Sequence, residues 1–442
     1  MSWNAVAPIA GAAGLASPWW LYGFVLSQMV CQTALLVPGL GPGRTLLRIA
    51  TFAVSLGLLV AVPAGGRRYP LAPLVVLLLA VLALGLLHPG LNTPAAGVAT
   101  VVFYLAIWCP VFWVPRVAVT PLVFANVILL LWAFHTVSAA VGVLQVYDPG
   151  RFAPDPEFVK QMAGVNADGL MVELADGSRV YRPAGLTDSP GGAAGSGSFA
   201  ALVGVLLFGA RGVLPRALGA ASVPVGLFCI YLSHVRSTLI VTALSIAGLV
   251  ASLAVRGQAG RATGIAAVAG AAAVGAFAWA AAVGTGVTDR FATLLDDDPG
   301  KVYHANRGHF LEATLTEDLP AHPLGAGLGR YGMMHAYFGT PTNPDSPPLW
   351  AEIQATAWVY DGGLLLLLAG YAAVGGAIAH AVRFTLTLRD NAAAALAAVV
   401  AGYDVSVLIS TAGYSTFLSQ SGMMFWVLNA ALYAAFVEAD SK

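Results

Sequence analysis

Residues 119–145 read VTPLVFANVILLLWAFHTVSAAVGVLQ, a run without a single Asp, Glu, Lys or Arg. Wound as a helix it is about 40 Å long, enough to cross a hydrocarbon core of roughly 30 Å. Hydrocarbon offers no partner to exposed backbone N–H and C=O groups, so such a run spans as a helix and not as an isolated strand. Working outward, comparable runs lie near 19–37, 46–63, 71–87, 97–114, 197–210, 217–233, 237–255, 264–284, 352–381, 393–411 and 420–437. With 119–145 that makes about twelve. The run at 197–210 is short, so it either draws in part of the preceding glycine-rich segment or is tilted and buried. The whole chain agrees: 442 residues, 58% hydrophobic and 10% charged, with a mean hydropathy of +0.79. The fold expected is all-α, a polytopic bundle of about twelve transmembrane helices with a large outward-facing loop that contains an amphipathic helix.

The 21 basic and 21 acidic residues cancel, which argues against a nucleic-acid surface or a broadly polybasic lipid-binding face. Their distribution orients the bundle. With both termini cytoplasmic, the inner loops carry Arg67/Arg68, Arg116, Arg211/Arg216, Arg256/Arg261 and Arg383/Arg389, as the positive-inside rule requires. Arg44, Arg48 and Arg236 then fall on the outer side as exceptions. The first twenty residues lack a basic region and a cleavage site, so no removable signal peptide is expected. Cys31, Cys109 and Cys229 fall in apolar runs without paired spacing and read as small core residues.

Five regions follow: N-terminal transmembrane helices over 1–145, an outward polar loop over 146–196, central transmembrane helices over 197–284, a large outward loop over 285–351, and C-terminal transmembrane helices over 352–442. In the first loop, Leu170-Met-Val-Glu-Leu-Ala-Asp-Gly-Ser-Arg-Val-Tyr alternates apolar and polar residues around an Asp-Gly turn and reads as a small hairpin. It leads into Arg182 and a glycine-rich stretch that either approaches a helix or ligand closely or serves as a flexible linker. The second loop holds Arg290, Lys301, Arg307 and Arg330, with four histidines and a cluster of acids. Loops this long in a bundle are usually functional. After Asp296-Asp-Asp-Pro, residues Tyr303 to Leu319 read as an amphipathic helix with Phe310, Leu311, Leu315 and Leu319 on one face. It would present Arg307 at headgroup level, or leave it an ordinary solvated charge. Pro323-Leu-Gly-Ala-Gly-Leu-Gly-Arg-Tyr-Gly lacks the flanking residues of either nucleotide-binding fingerprint.

Arg236 lies in Ser-His-Val-Arg-Ser, a short polar gap between two apolar runs on the outer side. A cation held at a helix end where topology does not call for one invites an anionic partner. The order of features is a short loop with Arg236 opening an apolar helix, a long outer loop with Arg307 and Phe310, then His322-Pro-Leu-Gly-Ala-Gly-Leu-Gly-Arg-Tyr. A helix entered through Glu352-Ile-Gln-Ala-Thr-Ala-Trp-Val-Tyr-Asp-Gly-Gly follows. By motif over roughly residues 180 to 380, and by helix count over the whole chain, this resembles the O-antigen ligase and polymerase superfamily. Those bacterial enzymes transfer glycans from undecaprenyl pyrophosphate outside the inner membrane.

The resemblance implies a multi-pass protein of the bacterial inner membrane, with a polyprenyl-pyrophosphate-linked glycan as donor and a glycan or lipid core as acceptor. The family arginines matching Arg236 and Arg307 hold the lipid-linked diphosphate. Guanidinium suits that role, because it stays charged and grips phosphate oxygens through parallel hydrogen bonds. Neither arginine requires a metal, and no cofactor is expected. Family ligases place a histidine eleven residues before the glycine that matches Gly363; here that position is Glu352. Glu352 is either the base that takes the acceptor hydroxyl's proton or a carboxylate placed favourably at a helix N-terminus. His335 is a second candidate base, and Arg182, Arg330 and Asp404 are supporting residues. The missing histidine favours a polymerase-like member over a ligase of lipid A core.

Ionisable groups in apolar runs are functional by default, because inserting one costs about 2.5–3.5 kcal/mol. Asp404 either pairs with an arginine such as Arg236 or carries protons. Asp361 reads as a kink or packing element, and His135 as a satisfied core histidine. Two classes stay open: a glycosyltransferase acting on polyprenyl-linked glycans, and a polysaccharide or lipid transporter or flippase. Repeated halves, common in transporters, are not visible in the sequence.

Overall fold

In the computed structural model the described residues are 15–37, 40, 43–152, 171–173, 177, 179–189, 191–283, 286–288, 291 and 298–440. The chain is almost wholly helical. Each of the apolar runs lies on a helix: α1 (Trp19–Ala34), α2 (Arg44–Ala61), α3 (Ala72–Leu84), α4 (Pro94–Trp108), α5 (Pro121–Tyr147), α6 (Gly192–Phe208), α7 (Val213–Leu232), α8 (Arg236–Val255), α9 (Ala259–Val283), α10 (Gln354–Thr387), α11 (Asn391–Ser410) and α12 (Gln420–Asp440). Among the described residues, 8 are long and apolar enough to cross a membrane, or 9 if α4 and the bent segment Pro110–Arg116 count as one span. This is a multi-pass membrane protein. Local chemistry sets the helix starts. Thr120 Oγ1 accepts from Val123 N at 3.2 Å, with Pro121 in the first turn where its missing N–H costs nothing. Thr93 caps α4 through Ala96 N at 3.0 Å, and Asp390 caps α11 through Ala392 N and Ala393 N at 2.7 and 2.8 Å.

The short run at 197–210 draws in the glycine-rich segment, since α6 starts at Gly192, and it is also buried along most of its length. Its glycines allow it to lie directly against α7. A Cβ on Gly226 would sit 2.4 Å from Gly197 O, and one on Gly197 would sit 2.5 Å from Gly226 O. Lipid is as apolar as a side chain, so this close backbone packing stands in for a hydrophobic drive between spans. Gly226→Val is therefore expected to destabilise the protein by about 1–3 kcal/mol, measured as earlier thermal unfolding in detergent.

Contacts sort the helix ends into two faces. At one, Arg67 donates to Ala434 O and pairs with Glu438. At the same face Arg256 caps the C-terminus of α10 through Thr385 O at 2.9 Å and Leu388 O at 2.6 Å, where a cation meets the negative end of the helix dipole. At the other face Arg48 donates through Nε and Nη2 to Asp188 Oδ2 at 3.1 and 2.9 Å. Arg48, an exception to the charge rule in the expected orientation, thus has a counter-charge beside it. Arg48→Asp is expected to lower stability by about 1 kcal/mol, and the added swap Asp188→Arg to recover part of it, read from a double-mutant cycle of unfolding temperatures.

The helix most important for the site is broken. Within α10, Gly362 (φ −163°, ψ 17°) and Gly363 (φ 61°, ψ −150°) leave helical geometry. The backbone groups freed there are taken up by the glycine-rich loop: Ala326 N donates to Tyr360 O at 2.8 Å, and Leu364 N donates to Pro323 O at 3.0 Å. Irregular backbone at membrane depth persists only where protein pairs it, and the segment 323–326 does so here. Only glycine readily adopts the backbone of residue 363.

Residues 299–321 form one helical run interrupted by two π-helical segments, His304–Gly308 and Thr314–Asp318. Phe310, Leu311 and Leu319 pack on the core as the amphipathic reading predicts, but Leu315 is 49% exposed. Each π turn widens the repeat and rotates the following residues. Thr314 takes the buried position instead, with its hydroxyl 2.6 Å from that of Thr356 on α10. The first loop holds the expected hairpin, β1 (Met171–Glu173) antiparallel to β2 (Arg179–Tyr181), with Met171 opposite Tyr181. The Asp176 half of its turn, Arg290 and the acids at 296 and 297 lie outside the described residues.

Candidate functional site

The face that carries Arg48 and Asp188 also carries Arg182, Arg236 and Arg307. Arg307 stands in the first π segment, a local widening that often marks functional positions. Its Nη1 is 2.7 Å from Glu352 Oε1, with side chains 42% and 21% exposed. Glu352 immediately precedes the extended Ile353 that caps α10. Gln354 fixes this helix start: its N–H donates to Thr411 O at 3.1 Å, and its Oε1 accepts from Phe417 N at 2.6 Å. The carboxylate therefore projects from a braced helix entrance toward a helix-borne guanidinium.

Arg182 completes the group. It follows β2 and packs beside Gly191, where an added Cβ would lie 3.4 Å from Arg182 Nη2 and 3.2 Å from Val235 Cγ2. Its Nε is buried and has no hydrogen-bond partner among the described residues. Burial, and then the like charge of Arg307, hold the Arg182 guanidinium below its ordinary pKa. Arg236 is the first residue of α8 and follows Val235 directly, and the Val235 side chain lies against Gly191, as Arg182 does. His234 before it is buried and takes φ +54°, an uncommon conformation for a side-chain-bearing residue and a sign of a tightly specified turn. Two guanidiniums whose charges act on each other, one of them paired with a carboxylate, leave net positive charge where a buried N–H has no acceptor among the described residues.

The other sequence candidates go elsewhere. Arg330 is buried and braces the loop before α10, donating to Pro347 O at 2.9 Å and Ala326 O at 2.8 Å. His335 lies on the short helix Gly332–Phe338, which packs on α4; its Nε2 is buried without a hydrogen-bond partner among the described residues. No described contact joins it to Arg307 or Glu352. Asp404 accepts from Asn429 Nδ2 at 2.9 Å, not from an arginine. It lies near the level of Ser245, whose hydroxyl donates to Gly402 O at 2.9 Å. Arg236 is nine residues earlier on α8, or about 14 Å along its axis. His135 is paired, with Nδ1 3.2 Å from Ser196 Oγ and its ring against Phe199. The cysteines are free, and Cys109 and Cys229 are buried.

Asp361, immediately before the break, accepts from Tyr104 Oη at 2.8 Å and from the Tyr331 hydroxyl, both on Oδ2. This three-element cluster joins α4, the loop before α10, and α10 itself. Only Asp361 was singled out by sequence; nothing local to Tyr104 or Tyr331 marks them as its partners, because the link depends on a chain separation of 257 residues for one and 30 for the other. Among the described residues, no group of three His, Cys, Asp or Glu side chains could hold a metal ion. No family model matches this chain, and no curated protein matches it either.

Proposed function

We propose that the protein is a membrane glycosyltransferase that takes a glycan from polyprenyl pyrophosphate on the outer face of a bacterial inner membrane, with both termini in the cytoplasm. The reading rests on the group Arg182, Arg307 and Glu352, placed beside the turn that carries Arg236. A pyrophosphate has the charge and the acceptor oxygens to satisfy the buried Arg182 N–H and to engage the Arg307 fork. Pairing the phosphates with guanidinium stabilises the charge that develops on the leaving group. In this scheme a hydroxyl of the acceptor sugar attacks the anomeric carbon, the bond to the phosphate oxygen breaks, and polyprenyl pyrophosphate departs, with inversion at carbon. Glu352, adjacent to Arg307, takes the hydroxyl proton or orients the guanidinium; its position at the site supports both roles.

A transporter reading would use the broken helix α10 as a substrate or ion site, as discontinuous spans do elsewhere. The groups freed at Gly362 and Gly363 are already paired to Pro323 and Ala326, which favours a structural break. Reconstitution with a defined lipid-pyrophosphoryl oligosaccharide tests the proposal. Chains of increasing length indicate a polymerase making a surface or exported polysaccharide, single transfer to a lipid core indicates an O-antigen ligase, and unconsumed donor sinks the enzyme reading.

A further inference from the structure

Between α4, the outer loop and the start of α10 lies a half-open cavity of about 220 Å³. That is several times the ~30 Å³ share of a liquid water molecule, so the space suits a small ring rather than one solvent molecule. Its walls are of two kinds. Phe103, Met333, Met334 and Leu418 are its apolar and aromatic residues, and Asp361 and Ser415 are among its polar ones. Both of these are incompletely used: Asp361 Oδ1 and Ser415 Oγ are buried without hydrogen-bond partners among the described residues, and Asp361 is 3% exposed. Oδ2 already accepts from Tyr104 and Tyr331, so the carboxyl group is held rigidly with its second oxygen left over. A buried polar atom without a partner is costly unless something comes to pair with it.

We infer that this cavity binds one sugar ring, with Asp361 Oδ1 and Ser415 Oγ meeting its hydroxyls and the Phe103–Met334 wall meeting its C–H face. A pyranose has this combination of a hydroxylated edge and an apolar face. Ala351 also lines the cavity, and the next residue is Glu352, which pairs with Arg307. A ring seated here lies beside the proposed transfer site, in the place an acceptor would occupy. Assignment of the ring to the acceptor rests on the proposed function; the binding of a sugar does not.

The test is saturation-transfer NMR on the purified full-length protein with methyl glucoside, galactoside, mannoside and N-acetylglucosaminide as probes, donor lipid being absent. At least one glycoside is expected to bind saturably. Asp361→Asn keeps its amide oxygen on the two tyrosines and turns an NH2 toward the cavity, and is expected to weaken binding about tenfold or more. Should that variant fold poorly, Met334→Trp, which fills the cavity from a half-buried position, is expected to abolish the signal. Absence of saturable binding by every probe, or binding unchanged in Met334→Trp, overturns the inference whatever the transfer assay gives. Binding without transfer upholds it while removing the enzyme reading.

Discussion

Arg307→Ala is expected to reduce glycan transfer by about 100-fold or more, the usual cost of removing one donor to a developing anion. Two effects must be separated in that number, because the substitution also leaves Glu352 without its 2.7 Å partner. The cycle Arg307→Ala, Glu352→Gln and the double variant separates them. If Glu352 only orients the guanidinium, the double variant is no slower than Arg307→Ala. If it takes the proton, its loss adds a further decrease. Arg307→Lys keeps the charge but loses the planar fork, so it should recover only a part. Arg182→Ala is expected to act in the same direction through donor binding, since its buried Nε has no partner among the described residues to lose. Transfer within threefold of wild type in Arg307→Ala, with about the same unfolding temperature, is incompatible with phosphate engagement at this residue.

Gly363→Ala is expected to destabilise the protein by about 3 kcal/mol or more, from two independent causes. A side chain is strained at φ 61°, ψ −150°, and the added Cβ would lie 2.0 Å from Pro323 O and 2.7 Å from Leu324 N. Relief requires residues 323–326 to leave α10, which frees the Tyr360 carbonyl and the Leu364 N–H together. The measurement is the unfolding temperature in detergent, with protease sensitivity of the loop before α10 as a second reading. Gly375→Ala is the control, because it lies on the same helix with nothing within 4 Å of its Cβ position; it should leave stability unchanged or slightly higher. Equal behaviour of the two variants contradicts a broken α10.

Local signals carried much of the architecture. Apolar runs, proline after threonine, and the alternation around Asp176-Gly177 lead directly to α5, to its cap and to the pairing of β1 with β2. These features depend on residues close in sequence. Others do not. Gly362-Gly363 within an apolar run reads as two small helix residues, because the partners that stabilise a break are about forty positions earlier. The same distance conceals the function of Pro323 to Gly332, whose glycines exclude a nucleotide site by pattern but do not reveal a strap across a helix. Leu315 was misplaced because a 3.6-residue repeat was applied where the backbone has π turns. For the site, Arg307 and Glu352 were legible as separate candidates and their ion pair was not. Arg236 stands out by breaking the charge rule, whereas Arg182, a supporting residue by sequence, is the one whose guanidinium feels the charge of Arg307.

The strap on α10 also imposes an order on assembly. Residues 323–326 are made before Gly362 and Gly363, so in synthesis the strap precedes the break whose backbone groups it pairs. The span following them enters lipid as a continuous apolar segment, and its interruption becomes affordable only when the waiting strap docks. Biogenesis therefore finishes on a seam between an earlier segment and a span made after it, and a nascent chain halted short of Leu364 holds every earlier helix but not that closure.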